Sequence, residues 1–151
     1  MGIRTVLVFV ILFAITSSSP TLKNTCEGNK TVTGYCNTLT YIDRTTALAN
    51  PPTVSQCLDT CHGVLTDAGD WLVSFVGKPA GYVDVLGRSA CGFALGRGQG
   101  EPMDYKFYMD NQDIVDIIDE TIKRFSNFHH GRVAAEGAIE CGGHKATWFV
   151  N

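Results

Sequence analysis

The sequence predicts an α+β protein: a two-layer sandwich with two helices on one face of a mostly antiparallel sheet, in a split βαβ arrangement, held by three disulfides. Three observations carry this. Two segments repeat apolar residues at the helical spacing of about 3.6. Several short segments alternate apolar and polar residues with the period of a strand. Six cysteines, an even number, stand in 151 residues behind an N-terminus of the export type.

The first helix opens where Pro51 and Pro52 close a polar stretch. Thr53 followed by Gln56 forms a capping box, and the pattern runs over 53–68 to the stop at Gly69. Val54, Cys57, Leu58, Cys61, Val64, Leu65 and Ala68 share one stripe, while Gln56, Asp59, Thr60, Gly63 and Asp67 face away. Both cysteines therefore point at the core. Helical residues four apart hold their Cβ atoms about 5–6 Å apart, beyond the roughly 3.8 Å of a disulfide, so each must reach a different segment. The second helix starts at an Asp110 or Asn111 cap and runs to about 127. Ile114, Val115, Ile117, Ile118, Ile122, Phe125 and Phe128 form its apolar face. Asp113, Asp116, Asp119, Glu120, Lys123 and Arg124 read as a solvated face, with acids early and bases late to match the helix dipole.

Strands are predicted around Leu39 and Tyr41, over 71–75, 82–86, 90–95 and 105–109, then from Val133 to Ile139 and over 146–150, with a turn at 141–144. Residues 96–102 form a glycine-rich loop. It lacks the Lys-Ser or Lys-Thr and the following helix of a phosphate loop, and reads as a mobile exposed segment. Trp71, Trp148, Tyr105, Phe107 and Tyr108 read as core and sheet packing, with a carbohydrate or protein contact surface as the alternative.

Arg4 ahead of an unbroken apolar run over 6–15 and the small residues 16–19 form a secretory signal peptide. The run is shorter than the roughly 20 residues of a membrane span, and none longer follows. The expected division is a signal peptide over 1–18 and one disulfide-stabilised domain over 19–151. Export makes Cys26, Cys36, Cys57, Cys61, Cys91 and Cys141 three bridges, with fifteen pairings open. A zinc site is disfavoured because no Cys-x-x-Cys pair occurs. Asn29-Lys30-Thr31 is a candidate N-glycosylation site. A net charge of −3 with 12 Lys and Arg lacks the basic excess of a nucleic-acid binder, and 10% aromatic content argues against disorder.

No catalytic residue, cofactor or metal is expected. No Gly-x-Ser-x-Gly elbow occurs, and pairing leaves no free thiol for cysteine catalysis. A secreted hydrolase such as a ribonuclease would draw on His62, His129, His130, His144, Glu136 and Glu140, which are scattered along the chain. Arg97, Gln99, Glu101 and Asp104 form the candidate contact loop, because function gathers on polar loops outside the periodic elements.

The stretches 67–71, 91–93, 111–118 and 133–137 through Cys141 resemble secreted fungal effectors of the extracellular-protein-2 type, described as necrosis-inducing factors. The resemblance covers about the last hundred residues. The loop 96–102, Gly34-Tyr35-Cys36 and the six cysteines are similar to the short avirulence and secreted-in-xylem effectors that work beside a partner effector. The resemblance implies a fold related to viral killer toxins and secretion by a plant-infecting fungus. It further implies a virulence role, or recognition by a host resistance protein, and it supplies no catalytic residue. The family's four-cysteine pattern matches Cys57 or Cys61, Cys91 and Cys141. The expected partners are a host plant protein and a second fungal effector, in the apoplast or inside host cells, with no nucleic acid and no membrane span. The alternatives are a killer-toxin-like or necrosis-inducing toxin and a small secreted hydrolase.

Overall fold

The computed structural model describes residues 23–67, 69–87 and 89–151. The signal-peptide expectation for 1–18 and the placement of Ala68 lie outside them.

Both helices begin where local chemistry says they should. Thr53 accepts the backbone N–H of Gln56 while the Gln56 side chain returns to the Thr53 N–H, opening α1 (Val54–Thr66). Asp110 caps α2 (Asn111–Phe125), with Asp113 completing a second box. Each box satisfies N–H groups that a helix start leaves without partners. Beyond α2 a 3-10 turn, Ser126–His129, carries the chain to His130 in the left-handed region.

Among the described residues the strands and α-helices follow in the order β1 (Cys36–Thr38), β2 (Ile42–Asp43), α1, β3 (Trp71–Ser74), β4 (Val83–Gly87), β5 (Phe93–Arg97), β6 (Lys106–Met109), α2, β7 (Ala135–Cys141) and β8 (His144–Val150). The main sheet runs β1-β7-β8-β5-β4, with β2 also on β7, and all its pairings are antiparallel. Since β5 and β7 both oppose β8, they run the same way with one strand between them, and α2 lies in the connection. That is the split βαβ unit. A separate two-stranded ribbon pairs β3 with β6, Leu72 opposite Tyr108 and Ser74 opposite Lys106.

Period-two burial divides each long strand. On β7 and β8 Ala135, Ile139, Cys141, Ala146, Trp148 and Val150 face inward. They join Phe93 and Leu95 of β5, Val73 and Phe107 of the ribbon, and the apolar stripes of both helices in one core. Where β7 passes the β1–β2 edge, only glycine fits: a Cβ on Gly137 would lie 1.9 Å from the Thr40 carbonyl oxygen and 2.6 Å from the Trp148 ring.

The bridges are Cys26–Cys61, Cys36–Cys141 and Cys57–Cys91. The two helix cysteines do reach different segments.

Several expectations need correction. The single strand around Leu39 and Tyr41 is two short strands, because Leu39 and Thr40 both donate to the Ala138 carbonyl and break the ladder. Phe128 is 77% exposed, since the 3-10 turn rotates it off the apolar face of α2. Thr60 is buried, donating to the Gln56 and Cys91 carbonyls. Asp113 and Asp119, read as solvated, are buried as well, because residues 24–36 lie across that face of α2.

Candidate functional site

Three parts of the chain meet at an open groove of about 550 Å³, lined by Tyr35, Asp70, Lys106, Phe107, Tyr108, Gly142 and His144. Lys106 and Tyr108 come from the outward face of the ribbon, since alternation along β6 turns Phe107 and Met109 into the core. Asp70 precedes β3. Tyr35 precedes β1, and Gly142 and His144 belong to the β7–β8 hairpin. The Cys36–Cys141 bridge joins the immediate neighbours of Tyr35 and Gly142, so a covalent tie fixes one side of the groove. The Cys36 sulfur also lies 3.9 Å from the Tyr108 carbonyl oxygen.

The side chains are positioned rather than loose. The Tyr35 N–H donates to Asp113 and its hydroxyl to Asp70 at 3.1 Å; the bond to Asp70 holds the phenol pKa above its ordinary value. His144 Nδ1 donates to Glu101 at 3.0 Å, which leaves Nε2 for a ligand, and the ring stacks on Tyr105 at 5.0 Å between centroids. Glu101 also accepts the Lys145 backbone N–H at 2.8 Å. That bond, with the one from His144, lowers its carboxyl below the usual range. Tyr105 ties the same corner, accepting the Gly98 N–H and donating to the Lys145 carbonyl. Lys106 has no ion pair or side-chain hydrogen bond among the described residues.

A carboxylate behind an imidazole orients a base. No serine, threonine or thiol lines the groove beside it. No group of His, Cys, Asp and Glu that could hold a metal occurs among the described residues. Nor is any described helix long and apolar enough to cross a membrane.

The candidate contact loop borders this groove, and three of its four residues hold the loop itself. The Arg97 guanidinium donates to the carbonyls of Phe75, Lys78, Pro79 and Met103 and lies over the Phe75 ring. Glu101 holds His144, and Asp104 accepts the Gly77 N–H at 2.8 Å. Gln99 projects into solvent. The hydrolase candidates do not converge: His129 pairs with Asp43 at 2.6 Å, Glu136 with Arg44 at 3.5 Å, and neither lines the groove. Asn29 is exposed, its side-chain oxygen accepting from Thr31. Trp148, Tyr105 and Phe107 are core, whereas Tyr108 is 54% exposed.

Reasoning from sequence missed the groove. The available signal was that the ribbon strands, WLVS and KFYM, place Leu72 and Tyr108 on the face that alternation assigns to water.

The described residues thus form a small disulfide-stapled α+β fold with a preformed groove, a build shared with secreted proteins of the disulfide-rich class. Residues 35–141 match the model of the Hce2 family, described as "Pathogen effector; putative necrosis-inducing factor", and the chain belongs to that family. No curated protein matches it. The matched span holds both partners of Cys36–Cys141 and of Cys57–Cys91; Cys26 precedes it.

Proposed function

We propose that this pathogen effector is a fungal virulence protein, exported through residues 1–18 as a single domain over 19–151, that acts on a plant host through protein contacts. Membership of the effector family carries this reading. The contact surface is the loop containing Arg97, Gln99, Glu101 and Asp104, presented by a frame of hydrogen bonds from its own side chains and fixed before binding, which lowers the entropy cost of association. The host partner is a protein, with a resistance protein as the recognising one and a second effector acting alongside.

The test is expression in host leaves of the full chain and of a form lacking residues 1–18. Cell death or altered resistance only with export places the target in the apoplast. A response only from the cytosolic form places it inside the cell, and none from either form overturns the proposal. The family description favours necrosis as the readout. A hydrolase reading requires that replacing His129, His130 and Glu136 together abolishes the response. Full activity of that triple variant discards it.

A further inference from the structure

We propose that the groove between the β3–β6 ribbon and the β7–β8 hairpin is a binding site for a neutral oligosaccharide, a ligand distinct from the protein partner above. Two tyrosines are about half exposed, Tyr35 at 51% and Tyr108 at 54%, although each sits on a rigid part of the fold. Tyr35 is held at its backbone by Asp113 and at its hydroxyl by Asp70. Tyr108 is held by its place in β6, opposite Leu72. Fixed aromatic faces in a groove are platforms for flat, weakly polar surfaces, and the C–H face of a pyranose ring is one.

The polar groups between the rings match what surrounds such a face. Sugar hydroxyls each donate and accept. The groove offers Asp70 as acceptor, Lys106 as a donor without another partner among the described residues, and His144 Nε2 beside them. One carboxylate against one ammonium leaves no net charge to select an anionic or cationic polymer, which favours a neutral ligand. A nucleic acid is opposed by the groove's single lysine and the overall charge of −3. The volume, about 550 Å³, falls within the range of small-ligand sites.

Binding of cellohexaose, xylohexaose, laminarihexaose and chitohexaose, with trigalacturonate as the anionic control, is measured by calorimetry on the chain with all three bridges formed. Saturable binding of at least one neutral sugar is expected. Tyr35→Ala and Tyr108→Ala should each weaken it about tenfold or more, while Tyr108→Phe, which keeps the ring, should bind as the parent does. Thermal melting of each variant identifies loss through misfolding, and the phenylalanine variant then decides. Failure of all four neutral sugars, tighter binding of trigalacturonate, or indifference to both alanine variants overturns the site. A leaf response that persists after such failure would leave the protein-contact reading standing.

Discussion

Asp113 joins the start of α2 to the segment that enters β1. It completes the α2 capping box through the Asp110 N–H and accepts the N–H groups of Tyr35 and Cys36 at 3.0 and 3.2 Å. Burial pushes its carboxyl above the ordinary value, against three hydrogen bonds that favour the charged form. Gly34 is what lets the chain come so close, for a Cβ there would stand 1.8 Å from an Asp113 carboxylate oxygen. Asp113→Ala should cost about 2 kcal/mol or more by stranding buried donors. Gly34→Ala should cost a similar amount, and the double variant less than the sum because both break one contact; urea midpoints of the four proteins measure this.

Asp119, two turns along, accepts from Asn24, Lys30 and Lys123. Burial alone would raise its pKa, but the bonds from Lys123 and Asn24 and the charges of Lys123 and Lys30 outweigh it and hold the carboxyl below 3.8. A folded value below the unfolded one means the stabilisation is present above pH 3.8 and lost as the pH falls through the folded value. Asp119→Asn should therefore destabilise the protein at pH 7 and make less difference at pH 3, as read by denaturant midpoints at both.

At the scale of elements, what was legible depended on range. Both helices were readable because capping boxes and apolar stripes are local, and the opposed destinations of Cys57 and Cys61 followed from helix geometry alone. The acidic stripe was misread for the opposite reason. Asp113 and Asp119 look like part of a solvated face until residues 24–36 lie on them, and nothing near α2 in sequence announces that; Asp116 between them is exposed, as its place on the stripe predicts. The ribbon joins strands more than thirty residues apart, so its pairing and the groove on its outer face were equally hidden. The β1–β2 edge shows how one residue sets such a pairing. Gly137→Ala would drive a methyl group into the Thr40 carbonyl and the buried Trp148 ring, at a cost of about 1–3 kcal/mol or more. Loss of protection of the Leu39 and Thr40 amides, followed by hydrogen exchange, would localise the damage to that edge.

For the molecule as a whole, the bridges set the scale of stability, each contributing about 2–4 kcal/mol in a domain of this size. Cys57–Cys91 fastens α1 to the start of β5, beside the Thr60 hydroxyl on the Cys91 carbonyl. Cys91→Ser should lower secreted yield sharply and leave Cys57 as an unpaired thiol. Yield and resistance to trypsin, compared with the parent, measure it; normal values for both would mark the bridge as dispensable.

The spans of the three bridges, 26–61, 36–141 and 57–91, overlap like links in a chain. Every peptide bond from Cys26 to Cys141 lies inside at least one of them. A single proteolytic cut anywhere in that stretch therefore releases nothing: the pieces stay covalently joined and separate only after reduction. Shedding an internal fragment takes two cuts inside one and the same interval between cysteines, and the longest of these, 92–140, contains α2. In a protease-rich fluid the molecule can thus be nicked and still travel as one body, its weak point being α2, which no bridge holds.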